Sequence, residues 1–249
     1  MSASKFYAII AGVGPGTGRS VALRFAKSYP VVLLSRSPSS YEPIIDEINK
    51  SGGTAHGFSA DTSSSTAVSE TFRKIKDVVG GDAKLAAAVY NVGGKLVRKP
   101  FLELTSEEFG AGYSANGLGL FNFAQQAMPL LLSAVESKPQ YPPTLILTGA
   151  TASLKASANF AAFATGKFAM RAIGQSLARE FGPQGVHVAH VVFDGVVDIP
   201  SSKGFEVNEG KEDGKINSDA IAENYWNLHT QHRSAWTQEL DLRPYVEKF

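Results

Sequence analysis

One lysine in an apolar segment is the residue of this sequence best suited to acid–base chemistry. Lys167 ends the stretch FAAFATGK, in which its neighbours are alanine, glycine and phenylalanine. A charged side chain on an otherwise apolar helix face needs a partner, because burying an unpaired charge is costly. Burial also lowers the pKa of a lysine, which would allow Lys167 itself to donate a proton. The alternative is that its ammonium group reaches solvent along the helix surface.

A glycine-rich turn near the start of the chain predicts a phosphate site. The sequence AGVGPGTG at residues 11–18 follows a short apolar run and carries Gly12, Gly14, Gly16 and Gly18. The first glycine permits the turn out of a strand, and the later ones let the backbone approach a pyrophosphate at a helix N-terminus. A plain glycine turn is the alternative, but the position after the first strand favours nucleotide binding.

The end of the second apolar run indicates which dinucleotide would bind. An NAD site needs an acidic side chain here for the ribose hydroxyls, whereas an arginine suits the 2′-phosphate of NADP. This sequence has Ser35 and Arg36 at that point, and Arg19 follows the glycine loop as a second cation. Either arginine could instead be a solvated surface charge. Together, and without a carboxylate, they favour NADP(H) over NAD(H).

Positioning these residues requires strands that alternate with helices. Apolar runs predict strands at 6–11, 31–35, 55–60, 85–92, 144–149, 186–193 and 234–242. Helical patterns occupy 19–27, 41–50, 64–79, 106–134 and 158–181. This alternation predicts an α/β fold in which helices cover both faces of a doubly wound parallel sheet of about seven strands. We expect one domain over residues 1–249, with 198–230 as a lid over the substrate.

Composition argues against several other classes of protein. The net charge of +1 gives no sign of nucleic-acid binding, and zero cysteines exclude disulfides, thiolate metal sites and a cysteine nucleophile. The five histidines have no metal-ligand spacing, so we expect no metal site. No apolar run is long enough for a membrane span, and the N-terminus does not resemble a signal peptide. A cytoplasmic protein is therefore expected.

Further motifs follow the glycine loop in a fixed order. They are Ser59-Ala-Asp-Thr62, Tyr90-Asn-Val-Gly93, Ser114-Ala-Asn-Gly117 and Asp194-Gly195, with Lys167 between the last two. In this order they resemble the motifs of the short-chain dehydrogenase/reductase (SDR) family over nearly the whole chain. The resemblance implies a single-domain Rossmann fold, a nicotinamide cofactor, oxidoreductase activity and a homo-oligomer, either a dimer or a tetramer.

The resemblance also implies roles for individual residues. Lys167 would hold the nicotinamide ribose, and Asn116 would belong to the catalytic set through a proton-relay water. Asp61 would contact the edge of the adenine. The remaining residues expected to bind the cofactor, besides the loop glycines, Arg19, Ser35 and Arg36, are Thr62, Asn91, Gly93, Gly195 and Val197.

Two departures from the family pattern concern the chemistry. Phe163 stands where the family has its acid, a tyrosine, and a phenyl ring has no proton to donate. The family's substrate-orienting serine corresponds to Ala150 or Thr151. The acid could then be Lys167, Thr151, Asp194, water or a group of the substrate. Asp194 follows the sixth strand, where a turn residue before Gly195 is the more usual interpretation.

Four other side chains near the predicted strand ends could contact a substrate. Tyr90 and Tyr113 carry hydroxyl groups, although packing is the more usual role of such tyrosines. Lys95 and Arg98 could meet an anionic substrate, although loop charges are usually solvated.

The sequence therefore predicts an NADP(H)-dependent oxidoreductase with an atypical active site. Its substrate would be a small or medium organic molecule with a carbonyl, an imine or an activated C=C bond. The alternative is a non-catalytic NADP(H)-binding protein that acts as a sensor or an assembly partner. Phe163 favours that alternative, whereas the retained Lys167 and Asn116 favour the enzyme.

Overall fold

The computed structural model describes residues 5–94 and 96–248, in which strands and helices alternate along the chain. The strands are β1 (Phe6–Ala11), β2 (Val31–Ser35), β3 (Ala55–Ser59), β4 (Lys84–Tyr90), β5 (Thr144–Thr148), β6 (His187–Phe193), β7 (Val197–Asp198), β8 (Ile216–Asn217) and β9 (Glu239–Leu242). The helices are α1 (Thr17–Ala26), α2 (Glu42–Lys50), α3 (Ser65–Val79), α4 (Ser106–Tyr113), α5 (Gly119–Val135), α6 (Ala161–Phe181) and α7 (Ser218–His229).

The main sheet has seven parallel strands in the order β3-β2-β1-β4-β5-β6-β9. Strand β1 lies between β2 and β4, and its last residue, Ala11, pairs with Leu34 on one side and Tyr90 on the other. The strand order reverses here, so a crevice opens at the carboxyl ends of these strands. The predicted doubly wound α/β fold is confirmed.

The core has two layers, one on each face of the sheet. Alternate residues of a strand point to opposite faces, so Ile10 packs with α1, α2 and α7, and Ile9 packs with α3, α5 and α6. Strands β1 and β4 are buried along almost their whole length, which is why they appear in the sequence as continuous apolar runs.

The predicted helix over 106–134 contains an irregularity that the sequence pattern did not show. A π-helical turn, Ser114–Leu118, connects α4 to α5. The hydroxyl of Tyr90 donates a hydrogen bond to the Ala115 carbonyl over 2.7 Å, and a Cβ on Gly119 would lie 2.4 Å from that hydroxyl. The wider turn and the glycine therefore accommodate the tyrosine beneath the helix.

The continuous helical segment Ser106–Val135 is long and apolar enough to cross a membrane by length and composition alone, contrary to the sequence expectation. Half of its most apolar window is buried within the fold. Its buried side chains, such as Phe123 and Leu131, belong to the core layer on that face of the sheet. Within this fold the segment is a core helix.

The segment predicted as a lid consists of two different parts. Residues 198–217 form an irregular excursion that includes two 3₁₀ turns and the short parallel pair of β7 and β8. Residues 218–229 form helix α7 instead, and its buried residues Tyr225 and Leu228 belong to the core. Movement of α7 away from the sheet would expose these core side chains. The lid interpretation is therefore limited to residues 198–217.

The seventh strand is shorter than the predicted 234–242. Pairing with β6 begins only at Glu239, opposite His190. The residues before it form a 3₁₀ turn, and Trp236 stacks on the His187 ring with a centroid distance of 5.0 Å. Trp236 thus contacts β6 through its side chain and takes no part in the backbone pairing of β6 with β9.

Candidate active site

A cavity of about 580 Å³ opens at the carboxyl ends of β1, β2 and β4. It lies where the strand order reverses, which is the usual ligand position in a doubly wound sheet. Seven of the predicted cofactor-binding residues line it: Gly12, Ser35, Arg36, Asp61, Thr62, Asn91 and Gly93. The structure therefore brings together residues that are up to 81 positions apart in the sequence.

The geometry of the glycine loop suits a phosphate group. Gly12 has a φ of +86°, and a Cβ there would lie 2.4 Å from the Asn91 carbonyl oxygen, so only glycine fits. The side chain of Asn91 in turn donates to the Gly12 carbonyl over 2.9 Å. No side chain of the described residues caps the N-terminus of α1 at Gly16, and its first turn contains no acidic residue. This helix end can therefore receive an anion.

Segments after β6 reach the same loop. A Cβ on Gly16 would lie 2.3 Å from Ile199 Cγ2, so the start of the lid covers the phosphate end of the crevice. Gly195 has a φ of +150°, and a Cβ on it would lie 2.7 Å from Pro244 Cδ. Val197 lies in β7, at the start of the lid segment. Gly195 and Val197 are outside the residues that line the cavity, so their contact with a cofactor stays a prediction.

The two predicted arginines are placed differently. Arg36 lines the cavity beside Asp61, whose pKa is lowered mainly by hydrogen bonds from Ser63 and further by the charge of Arg36. Arg19 instead forms a salt bridge with Glu47 on α2, with an Nε–Oε2 distance of 2.8 Å, and does not line the cavity. Arg36 is thus the arginine available at the strand end.

Lys167 is buried on α6, as its apolar surroundings predict, and does not reach solvent. Its Nζ donates to the carbonyl oxygen of Thr148 at the end of β5, over 2.8 Å. Burial lowers its pKa to about 8. The ammonium also lies 6.0 Å from the centroid of the Phe163 ring, a distance at which a cation and an aromatic face attract each other. Phe163 therefore stabilises the charge without supplying a proton.

Asn116 is fully buried in the π-helical turn and faces α6. Its Nδ2 donates to the Gly112 carbonyl over 3.0 Å, and no described residue donates to its Oδ1. A Cβ on Gly166, the residue before Lys167, would lie 3.2 Å from Asn116 Nδ2. The wide turn thus brings the asparagine next to the lysine segment.

The two oxygen-bearing candidates for the acid form one unit. The hydroxyl of Thr151 donates to Asp194 Oδ1 over 2.6 Å. The other oxygen of Asp194 lies 3.5 Å from Nη2 of Arg243, which follows the last strand. Asp194 is therefore buried as the acceptor in a Thr–Asp–Arg network.

Comparison with known proteins identifies the family. The family model "short chain dehydrogenase" matches residues 7–206. The chain belongs to the SDR family. A crystal structure of a short-chain dehydrogenase from Rhodopseudomonas palustris is 30% identical, with a TM-score of 0.80 over 97% of this chain and 100% of that one. A short-chain dehydrogenase/reductase of Armillaria gallica is 29% identical over 212 residues, which are 84% of this chain and 77% of the relative.

A metagenomic short-chain oxidoreductase solved in complex with NADP has the same fold. It is 22% identical and has a TM-score of 0.80, covering 98% of this chain and 99% of the other. The family, the relatives and the fold together show that this chain is an SDR oxidoreductase. None of these proteins supports the non-catalytic alternative.

The predicted catalytic residues Lys167, Asn116, Thr151 and Asp194 are not among the described residues that line the cavity, and neither are the other substrate-contact candidates. Tyr90 is fully buried, its hydroxyl contacts Thr62 Oγ1 at 3.1 Å, and burial raises its pKa, so its role in this SDR is packing. Tyr113 is about half exposed on the outer surface of α4. Arg98 lies 5.4 Å from the centroid of the Phe160 ring, and Lys95 is outside the described residues.

Sequence reasoning missed several polar groups near the SDR site. Arg243 contacts Asp194, and His190 is buried on β6 with its Nδ1 2.9 Å from Glu239. Arg171, one helical turn after Lys167, also pairs with Glu239. The spacing of Lys167 and Arg171 was a usable signal, because residues four apart share a helix face. The partners on β6 and β9 had no comparable signal.

Proposed function

We propose that this SDR uses NADP(H) and exchanges a hydride with a small or medium organic substrate that has a carbonyl, an imine or an activated C=C bond. The observation that carries the cofactor choice is Arg36 at the end of β2, where Ser35 replaces the carboxylate of an NAD site. Solved structures of the same fold are complexed with NADP in one case and with NAD in another, so the choice rests on Arg36 and not on the fold.

The cavity, the N-terminus of α1 and Lys167 together suit the successive parts of the dinucleotide. Asp61 and Arg36 lie at the end suited to the adenosine and its 2′-phosphate. The loop at Gly12 and the N-terminus of α1 would bind the pyrophosphate, which requires Ile199 to move away from Gly16. Lys167 would hold the ribose next to the nicotinamide through the N–H groups that Thr148 does not occupy. When bound, the dinucleotide supplies or accepts the hydride.

The proton, we propose, comes from Lys167. A pKa of about 8 leaves most of this lysine protonated at pH 7 while keeping it acidic enough to act as a general acid. The hydrogen of the Thr151 hydroxyl points at Asp194, so this hydroxyl is a poor donor to a substrate oxygen. Asp194 accepts the hydrogen bond from Thr151, and its other carboxylate oxygen lies beside the guanidinium of Arg243. Geometry thus favours the lysine over the other two candidates.

Binding and turnover measurements test this function. Isothermal titration with NADPH and NADH should show tighter binding of NADPH. Purified protein with NADPH should then reduce some members of a panel of ketones, imines and enones, activated acceptors first, because they depend least on proton donation. Tight NADPH binding without turnover on any panel, together with no effect of Lys167→Ala on binding, would overturn the enzymatic proposal.

A homo-oligomer is also proposed. Helices α4 and α6 pack against each other, and their outer surfaces carry the exposed aromatic side chains Phe109, Tyr113 and Phe168. Apolar patches of this kind usually mark an interface. Light scattering coupled to gel filtration should give a dimer or tetramer, and Phe168→Asp should shift it toward the monomer.

A cytoplasmic location stays a proposal, which cell fractionation would test.

A further inference from the structure

The face of α6 that carries Lys167 also carries two aromatic side chains. Phe163 and Phe160 precede the lysine by four and seven residues, so the three side chains form a row on one side of the helix. The ring of Phe163 lies next to the lysine ammonium, with its centroid 6.0 Å from Nζ. Lys167 is buried, whereas both rings are only half-buried. The row therefore leads from the proposed proton donor towards the surface.

The segment after β4 runs along this row. A Cβ on Gly94 would lie 3.5 Å from Nδ2 of Asn116, so the segment starts beside the π-helical turn that faces α6. Further along, the N–H of Lys99 donates to the carbonyl oxygen of Asn159 over 2.9 Å. Asn159 directly precedes Phe160, so the segment ends beside the start of α6. The side chains between these two contacts are therefore placed to reach the outer end of the row.

Arg98, in this segment, occupies the outer end of the row. Its guanidinium carbon lies 5.4 Å from the centroid of the Phe160 ring, a distance at which a cation and an aromatic face attract each other. The side chain is exposed, and no carboxylate of the described residues pairs with it. The neighbouring Lys99 instead forms a salt bridge with Glu108, with an Nζ–Oε2 distance of 3.0 Å. Arg98 is thus a positioned cation whose hydrogen-bond donors are available.

The two segments that border the row carry positive charge only. Residues 91–100 contain Lys95, Arg98 and Lys99, and residues 149–160 contain Lys155. Neither segment contains an aspartate or a glutamate. A surface with charges of one sign attracts an anionic ligand and repels a cationic one. Because Arg98 is held against the aromatic row, it is the cation best placed to receive that anion.

The dimensions of the row restrict the shape of a ligand. The seven residues from Phe160 to Lys167 correspond to about 10 Å along the helix axis. A ligand that contacts both Arg98 and Lys167 must therefore be extended. The two phenyl rings of the row favour a flat, apolar body, because aromatic groups pack against one another in defined geometries. An anion whose charge adjoins its reactive group would reach only one end.

We propose that Arg98 is a specificity-determining residue, which binds a carboxylate of the substrate while Lys167 faces the carbonyl group of the same molecule. The substrate is then an oxo acid in which a flat, apolar spacer separates the two groups. A planar guanidinium can bind both oxygens of a carboxylate, and the contact with Phe160 holds it in place. This inference rests on the proposed function: the carbonyl carbon receives the hydride, the carbonyl oxygen receives the proton of Lys167, and the carboxylate is unchanged.

A matched pair of ketones tests the proposal. 4-Acetylbenzoate has its carboxylate and its acetyl group at opposite ends of a benzene ring, and its methyl ester lacks the charge. With NADPH, the wild-type kcat/KM should be roughly 10–100-fold higher for the acid, the range expected for a hydrogen bond to a charged group. Arg98→Ala should raise the KM of the acid towards that of the ester. Arg98→Lys should retain part of the preference, because it keeps the charge and loses the planar fork.

Controls separate this effect from a general change of charge or structure. Arg179→Ala removes an exposed arginine near the far end of the same helix and should keep the preference for the acid. Pyruvate, whose carboxylate is attached to the carbonyl carbon, should have no advantage over methyl pyruvate. Arg98→Glu should reverse the preference, so that the (4-acetylphenyl)trimethylammonium ion is reduced with a lower KM than the acid. If Arg98→Ala does not fold, Arg98→Gln replaces it. Equal losses on acid and ester, or a preference that persists in every Arg98 variant, would refute the proposal.

Ligand binding distinguishes failure of this inference from failure of the proposed function. Saturation-transfer difference spectra of 4-acetylbenzoate and its ester on the full chain, with and without NADPH, need no turnover. Binding of the acid that depends on Arg98, without reduction, would support the ligand class and reject the hydride transfer. Reduction of both ketones with equal kcat/KM would support the oxidoreductase and reject the role of Arg98. The absence of a preference for the acid in both binding and turnover would also overturn that role.

Discussion

The hydroxyl of Thr151 donates to the carboxylate of Asp194 over 2.6 Å, so its hydrogen is engaged by that carboxylate. The bond satisfies a buried acceptor, and Arg243 supports it from the other side. Thr151 is the nearest hydroxyl to the family's serine position, and this contact indicates that it serves the structure of the strand ends more than proton transfer.

Thr151→Val should therefore destabilise the protein more than it slows turnover. The variant keeps the shape and leaves Asp194 without its donor, which costs about 1.5–3 kcal/mol for a hydrogen bond to a charged group. Urea unfolding should show this loss, while kcat changes by less than about tenfold. Thr151→Ser should restore both values. A collapse of kcat with unchanged stability would instead make Thr151 the acid.

Arg36→Ala should selectively weaken the binding of NADPH. The arginine is the cation placed to pair with the 2′-phosphate, and loss of such a charged bond corresponds to roughly 10–100-fold in Kd. Binding of NADH should change little. Arg19→Ala is the matched control, because its guanidinium is occupied by Glu47. Equal losses for the two cofactors, or a larger effect at Arg19, would contradict the assignment of the phosphate site.

Phe163→Tyr should increase the reduction of simple ketones. The phenyl ring already lies beside the ammonium of Lys167, so a hydroxyl at this position meets the group that would lower its pKa. General-acid catalysis contributes about 10²–10⁴-fold, and we expect a gain within that range in kcat/KM. Phe160→Tyr adds the same hydroxyl one turn earlier and should give no gain. No gain at Phe163 either would show that the pocket has diverged beyond its acid.

The sequence was sufficient for the first six strands of the main sheet, the glycine loop and the residues at the strand ends, because each of these depends on a local pattern. Gly12, Asn91 and Lys167 could be placed from such patterns, and the family resemblance to the SDRs is confirmed. The pairing of Arg19 with Glu47 could not be foreseen, because it depends on how two helices pack. The same holds for His190 and Glu239, which are 49 residues apart and meet only through strand pairing. Such partners decide whether a charge is available for function.

Turnover in the reductive direction should decrease above pH 8. Lys167 donates only while it is an ammonium ion, and burial lowers its pKa to about 8, so kcat/KM should fall by about tenfold for each pH unit above that value. Rates measured between pH 6 and 10 check this, with samples preincubated at each pH and assayed at pH 7 to exclude inactivation. A constant rate up to pH 10 would assign the proton to another group.

Lys167→Met should stabilise the protein, and the gain should depend on pH in a defined way. The pKa of this lysine falls from 10.5 to about 8 on folding, so below pH 8 the folded chain holds a charge that burial disfavours, at a cost of about 3 kcal/mol. The lost bond to Thr148 offsets about 1 kcal/mol, which leaves a net gain of about 2 kcal/mol.

The sign of the pH dependence follows from proton binding. Between pH 8 and 10.5 the unfolded chain binds more protons at this lysine than the folded chain. The free energy of unfolding of the wild type therefore rises with pH in this range, and the advantage of the variant becomes smaller. Thermal unfolding should show a Tm increase of about 4–8 °C for Lys167→Met at pH 7 and a smaller one at pH 9.5. Lys74→Met, at an exposed position on α3, should show neither effect. A gain that stays constant with pH would mean that packing, and not the buried charge, accounts for the change.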